Sequence, residues 1–261
     1  MSKRRYWIAG FAVISIVAAL MWKPFPQPLS YHDFADHRAM FGIANFMDVA
    51  SNVGFLVAGL AGLVVVMSAG KFESGVERWP YALFFVGVLF TAAGSSYYHL
   101  SPDNERLFWD RLPMTIAFMS LISAQVVDRI SVKAGLTLLL PMLTIGAASV
   151  IYWRLTEQNG VGNVMPYGIL QGYSVIMLLL LAVLEPSRYT RGNDILWVFA
   201  WYVIAKVLEF FDAQVLAFGH LAGGHALKHL AAAAAALAVC RMLMKRELRE
   251  AMPAAHGVRS A

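Results

Sequence analysis

The chain has 261 residues, of which 59% are hydrophobic and only 14% charged, and its formal net charge is +5. A mean hydropathy of +0.60 is too high for a soluble globular protein of this length, so the composition predicts an all-α, polytopic membrane helix bundle. The single Cys240 excludes an internal disulfide framework and a cysteine-based zinc site. The sequence offers no soluble basic face with stacking aromatic residues, which excludes a nucleic-acid-binding role.

Eight apolar windows are long enough to span a bilayer as helices, since about 20 residues suffice. Short connections join them, apart from the segment 23–44, so we expect one membrane domain over 1–261. The first window follows the basic run Lys3-Arg4-Arg5, and we expect it to be retained as a helix, with cleavage as a signal peptide as the alternative. The windows are 6–22, 45–69, 80–99, 108–127, 134–153, 164–184, 195–213 and 220–243.

The distribution of lysine and arginine predicts the orientation of the chain. With a cytoplasmic N-terminus, the connections 71–78, 128–133 and 185–194 and the tail 244–261 are cytoplasmic and hold most of the basic residues. We therefore expect both termini in the cytoplasm, and the protein in the inner membrane of a bacterium or in the ER or Golgi membrane of a eukaryote. The basic C-terminal residues suit contact with anionic lipid head groups, and they are Arg241, Lys245, Arg246 and Arg249.

The longest outer connection, 23–44, and the helix that follows it carry oxygen-bearing side chains. Asp33, Asp36, Asn45 and Asp48 offer the hard oxygen ligands that calcium prefers. The alternative is a solvated loop at head-group level, followed by polar residues that hydrogen-bond to neighbouring helices. Both interpretations stay open for this segment.

The stretch from Gly94 to Asp110 places chemical groups at the junction of two predicted spans. Ser95 and His99 are four residues apart and share one helical face, and Asp110 opens the next helix at the same membrane depth. Ionisable residues at this depth are costly, so a functional site is the default interpretation. A hydrogen-bonded interfacial histidine and an Asp110–Arg111 salt bridge are the structural alternatives.

Two later motifs offer partners for this stretch. His225 and His229 stand four apart at the start of the last span, a spacing that lets two imidazoles bind one ion, and a third histidine would leave an open zinc position. His220 lies off this face and is left out. In the preceding span, Lys206, Glu209 and Asp212 form a stripe that predicts either an ion pair or a carboxylate supporting a histidine ligand.

These motifs resemble the alkaline ceramidases and the wider CREST group of membrane hydrolases. The resemblance lies in Ser-x-x-x-His before an Asp, in His-x-x-x-His in the final span, and in Asp110-Arg111-Leu112-Pro113-Met114, which is similar to Asp-Glu-Leu-Pro-Met. The segment 44–52 is also similar to the first core helix of the ceramidases. The resemblance covers about 36–243 and implies a seven-helix CREST-like core, with 1–22 as an additional N-terminal helix.

The resemblance implies a zinc-dependent hydrolase that cleaves the N-acyl bond of ceramide-like membrane lipids. Zinc is expected on His99, His225 and His229, with Asp110 as proton shuttle and Ser95 as hydrogen-bond donor to the oxyanion. Asn45 stands where the family has a glutamate that helps to hold calcium, so calcium on Asp36, Asn45 and Asp48 is not carried over from the family. Arg111 likewise replaces a family glutamate, and the substrate's identity is not carried over either.

Three other functions remain open from the sequence. One is the hydrolysis of another amide or ester lipid, and a second is a membrane receptor or sensor in which the zinc is structural. A transporter that uses the stripe at 206–212 as an ion relay is the third, although neither inverted repeats nor broken midplane helices are apparent in the sequence.

Overall fold

The structure is a computed structural model that describes residues 3–68 and 70–249. Within these ranges the regular structure is helical, and the only β-type pairs are two isolated bridges. Short 3₁₀ turns cover Leu29–His32, Gly75–Glu77 and Gly192–Ile195. The α-helices are α1 (Lys3–Met21), α2 (Phe46–Ala50), α3 (Val53–Met67), α4 (Arg78–Leu100), α5 (Asn104–Arg129), α6 (Val132–Gln158), α7 (Met165–Leu184), α8 (Leu196–Phe210), α9 (Asp212–Gly219) and α10 (Gly224–Lys245).

Every predicted window is mainly helical; two of them contain a break, and the window 220–243 becomes helical only at Gly224. The window 45–69 contains a turn between α2 and α3, and the window 195–213 ends at Phe210, after which the chain turns into α9. These breaks occur where polar side chains bind neighbouring segments, since Ser51 contacts α10 and Asp212 contacts both α10 and the outer loop.

Six helical segments in the described part of the chain are long and apolar enough to cross a membrane. The protein is therefore a membrane protein by length and composition. Two of the eight predicted spans are outside this set. Helix α5 is about 39 Å long at 1.5 Å per residue, which is long enough to span a bilayer. Charged residues near both of its ends lower its mean hydropathy, so it is not among the six. Helix α8 has only 15 residues, which gives about 22 Å against a hydrocarbon core of about 30 Å.

The helices surround an internal cavity. Helix α4 packs between α3 and α5, α10 packs against α3 and α8, and α7 completes the wall, while α6 lies outside α5 and α1 outside α7. Helices α7 and α8 contact each other much less than α4 does α5, or α10 does α3 and α8. The wall is therefore most open to the lipid between these two helices.

Glycines set the closest helix contacts. A Cβ at Gly94 would lie 2.1 Å from the carbonyl oxygen of Trp109, and one at Gly87 would lie 2.6 Å from the amide nitrogen of Ala117. Gly87 and Gly94 are two turns apart on one face of α4, so α5 approaches along the whole of that face. A Cβ at Gly224 would lie 2.1 Å from the carbonyl oxygen of Leu208, which brings the start of α10 against α8.

The first residues of the C-terminal tail, predicted as a basic cytoplasmic segment, pack against the helix bundle. Helix α10 continues to Lys245, and Arg246 is buried, with its guanidinium 2.8 Å from a carboxylate oxygen of Asp128. The backbone of Glu247 then pairs with Thr190. The prediction that Arg246 contacts lipid head groups is therefore wrong, because a buried carboxylate and the rings around it provide its partners. Residues 250–261 of the predicted tail lie outside the described residues.

Candidate metal centre

Three histidines from two distant parts of the chain meet at one end of the helix bundle. His99 ends α4, whereas His225 and His229 occupy the first two turns of α10. All three are buried, with exposed fractions of 1%, 5% and 4%. One ring nitrogen from each lies within 4.8 Å of those of the other two, and the ring centroids are 4.9 to 5.0 Å apart. In the part of the chain that the structure describes, this is the cluster that could hold a metal ion.

The chemistry of the cluster suits a metal. Nδ1 of His99 and Nε2 of His225 are buried and have no hydrogen-bond partner within the described residues, an arrangement that costs free energy unless an ion or another ligand binds there. Nδ1 of His229 lies 2.9 Å from the hydroxyl of Ser51, so Nε2 is the ring atom of His229 that could bind an ion. Three neutral imidazoles are a donor set that zinc accepts.

Asp212 and Phe34 hold and cover the histidine cluster. The carboxylate of Asp212 accepts hydrogen bonds from the backbone amides of His225 and Ala35, at 2.9 Å each. It therefore caps α10, where a negative charge is favoured, and ties the outer loop to the same point. The ring of Phe34 covers the cluster, with its centroid 4.2 Å from that of His225 and 4.7 Å from that of His99. The histidines are thereby shielded from bulk water.

The cluster adjoins the internal cavity, which has a volume of about 410 Å³. Ser95, Asp110 and His229 all line it, and its other walls are mainly apolar and aromatic side chains of α4, α5, α7, α8 and α10. Gly94 allows α5 to approach α4 so closely that Asp110 lies beside Ser95. The structure thus places Ser95, Asp110 and His229 along one cavity, while His99 and His225 contact His229 at its edge.

The predicted calcium ligands lie close to this site but have different partners. Asp36 is buried and binds the guanidinium of Arg38 through both carboxylate oxygens, a contact that lowers the pKa of the Asp36 carboxyl below its usual range. Asn45 donates a hydrogen bond of 2.8 Å to the carbonyl oxygen of His99. The carboxylate of Asp48 is buried and has no hydrogen-bond partner among the residues described. Calcium at these residues stays a prediction.

The structure decides between several of the predicted alternatives. Among the described residues, no salt bridge joins Asp110 to Arg111, whose guanidinium instead binds the side chain of Gln27 at 2.6 Å. The predicted Lys206–Glu209 ion pair is present. Asp212 does support a histidine, although through the backbone amide of His225 and not through its ring. His220 is exposed and lies outside the cluster.

Three residues that contact the histidine cluster were not predicted as site residues, and Lys228 is the charged one. Lys228 lines the cavity, its ammonium group lies 2.8 Å from a carboxylate oxygen of Glu209, and it is 3.5 Å from Nδ1 of His225. A charged residue directly before His229 inside a predicted span was the available signal, because charges in such segments mark functional sites. Ser51 and Phe34 gave weaker signals, since their contacts depend on tertiary packing.

Fold and site together define an α-helical membrane protein with a buried three-histidine centre that could hold a metal ion and is compatible with zinc. No protein-family model matches the chain, and a search of curated protein sequences finds no significant match.

Proposed function

We propose that the protein is a zinc-dependent intramembrane hydrolase that cleaves the amide bond of N-acyl membrane lipids, with ceramide-like lipids as the first substrate class. The observation that carries the proposal is that the histidine cluster, Ser95 and Asp110 adjoin one largely apolar cavity. The cavity's volume, about 410 Å³, lies within the range of ligand pockets, about 300–1,000 Å³.

The cavity provides for substrate binding. The acyl chain would lie among the apolar side chains of α5, α7 and α8, which replace the lipid tails around it, so its transfer from the bilayer exposes no apolar surface to water. The weak contact between α7 and α8 favours entry of the lipid from the side. The amide group then lies at the polar end, next to Ser95 and Asp110.

The residues of the site supply the proton chemistry. His99, His225 and His229 would hold zinc, which when bound lowers the pKa of a coordinated water to about 7 and polarises a carbonyl oxygen. Asp110 accepts a proton from the attacking water as its oxygen bonds to the carbonyl carbon, and returns it to the amine nitrogen as the C–N bond breaks. Ser95 donates a hydrogen bond to the substrate oxygen as negative charge develops on it. The products are a fatty acid and a free amine.

The first test measures metal content. Purified protein should contain one zinc ion per chain, and His225→Ala should lower the bound zinc sharply, because it removes one of three protein ligands. His37→Ala is the matched control, since His37 is exposed on the outer loop and should leave the zinc unchanged. Full zinc occupancy in a folded His225→Ala variant would contradict the assignment.

The second test measures fatty acid released from N-acyl sphingoid lipids and from matched amide and ester lipids. Asp110→Asn should keep the zinc and lose about 10²–10⁴-fold in turnover, the usual contribution of general acid–base catalysis. Ser95→Ala should keep the zinc and lose about 10²–10³-fold. Ser96→Ala is the control, because Ser96 is the neighbouring residue on α4 and is absent from the residues that line the cavity.

The same measurements separate hydrolase from sensor. If wild-type protein releases no fatty acid from any of these lipids and Asp110→Asn loses zinc, Asp110 belongs to a closed coordination sphere. The protein would then be a receptor or sensor with a structural zinc. Release from esters but not from amides would instead identify an ester-lipid hydrolase.

A further inference from the structure

Arg111 is a buried cation that forms no salt bridge with the carboxylates of the described residues. Its side chain is 5% exposed, and no carboxylate among the described residues lies within salt-bridge distance of it. Within the described residues, the one hydrogen bond of its guanidinium goes to the neutral side chain of Gln27, and its Nη1 is buried without a partner. A buried guanidinium in this state is costly.

Aromatic rings hold this guanidinium in place. Its central carbon lies 4.6, 4.8 and 5.3 Å from the ring centroids of Trp153, Tyr167 and Tyr31. Cation–π contacts of this kind offset part of the desolvation cost, but they satisfy none of the N–H donors of the guanidinium. The guanidinium of Arg111 is thus held at the wall of the cavity, and some of its N–H donors have no hydrogen-bond acceptor among the described residues.

Two lysines that line the same cavity add to the positive charge. The ammonium groups of Lys206 and Lys228 both bind the carboxylate of Glu209. One negative charge is therefore shared by two positive charges, and one positive charge is not neutralised. With Arg111 and Asp110 included, the charged side chains that line the cavity are three cations and two anions, and their sum is +1. A metal ion on the histidines would make the cavity still more positive.

We propose that, within the N-acyl lipids of the proposed function, the cavity prefers those whose head group carries an anion, a carboxylate or sulfonate, over uncharged ones such as ceramide itself, and that Arg111 and Lys228 bind this anion. Arginine has several donors in a planar fork that matches such anions, and Lys228 adds a second charge near the histidines. The apolar part of the cavity accepts the acyl chain. This inference rests on the proposed hydrolase function for the position of the amide bond, but the binding step can be tested without catalysis.

The test compares three amides that share one oleoyl chain. N-oleoylglycine carries a carboxylate, N-oleoyltaurine a sulfonate, and N-oleoylethanolamine no charge. Binding to the purified full-length protein in an uncharged detergent is measured by displacement of a fluorescent acyl amide. We expect both anionic amides to bind about tenfold more tightly than the neutral one, and their affinity should fall with rising ionic strength. A sulfonate is a poor metal ligand, so N-oleoyltaurine isolates the contribution of the cations.

Two substitutions locate the anion site. Lys228→Met should weaken the binding of N-oleoyltaurine about tenfold and leave N-oleoylethanolamine unchanged, whereas Lys23→Met, on the exposed outer loop, should change neither. Arg111→Gln should have the same effect as Lys228→Met, and Arg111→Lys should restore part of the preference, since it keeps the charge. If Arg111→Gln does not fold, Lys228→Met and the comparison of ligands on wild-type protein still decide the question.

Equal affinity of wild-type protein for the three amides would overturn the inference, and so would an anion preference that Lys228→Met leaves intact. Hydrolysis of the same amides is measured separately. An anion preference without hydrolysis would support this inference and count against the proposed function. Hydrolysis of the three amides without a charge preference would support the proposed function and overturn this inference.

Discussion

The close contact between α4 and α5 leads to a quantitative prediction. The Cβ of a Gly94→Ala variant would lie 2.1 Å from the carbonyl oxygen of Trp109, whereas ordinary contact begins near 3.4 Å. The Cβ therefore lies about 1.3 Å too close to this oxygen, so the two helices must move apart locally. The neighbouring atoms belong to the backbone of α5, so a side-chain rotation cannot relieve the clash.

The separation should affect both stability and turnover. Overpacking of this kind costs about 1–3 kcal/mol, partly offset by the gain of about 1 kcal/mol from replacing a helical glycine with alanine. Because Ser95 follows Gly94 on α4 and Asp110 lies on α5, the shift also displaces the two groups relative to each other. A misplacement of about 1 Å can cost about 10²-fold in rate. Zinc should be retained, since its proposed ligands lie on α4 and α10 and not on α5.

The assay records the melting temperature, bound zinc and lipid hydrolysis for Gly94→Ala and for Gly172→Ala. Gly172 lies in α7, and a Cβ added there would meet nothing within 4 Å, so its substitution should be neutral or slightly stabilising. A Gly94→Ala variant with unchanged melting temperature and full turnover would refute the close approach of the two helices. Loss of zinc would mean that α5 also supports the histidines.

Two further predictions concern side chains around the site. Ser51→Ala should weaken zinc binding by about 10–100-fold, because it removes the hydroxyl that orients the ring of His229; zinc titration against a competing chelator measures this, with Ser15→Ala as control. The Arg38 guanidinium lowers the pKa of the Asp36 carboxyl, so the pair should stabilise the fold above the unfolded-state pKa of about 3.9 and lose this effect as the pH falls through the lower folded-state value. The melting temperature of Asp36→Asn should therefore lie below that of wild-type protein at neutral pH and approach it in acid.

These two predictions have distinct contradicting results. An unchanged zinc affinity in Ser51→Ala would show that the ring of His229 is oriented without the hydroxyl. A difference between wild-type protein and Asp36→Asn that stays constant from pH 7 to pH 3 would exclude the ion pair as its cause. Asp33→Asn is the control, because the side chain of Asp33 is 82% exposed.

Much of the architecture could be predicted from the sequence. The eight apolar windows form helices in the described chain because a polar backbone in an apolar segment of this length satisfies its hydrogen bonds within a helix. The pairing of His225 with His229 was also predictable, since a spacing of four residues puts two side chains on one helical face. That His99 joins them was expected from its depth and from the family resemblance.

The tertiary structure decided which polar groups meet. Lys228 shares Glu209 with Lys206, and Asp212 caps α10, because the chain breaks at Phe211 and α10 packs against the end of α8. Arg246 is buried on Asp128 although its position in a basic tail predicted exposure. Helical periodicity specifies contacts within one helix, whereas ion pairs between segments depend on helix separation, which glycines such as Gly94 and Gly224 set through close approach. The sequence thus determined the helices and two of the three histidine positions, and packing between helices determined the charged groups around them.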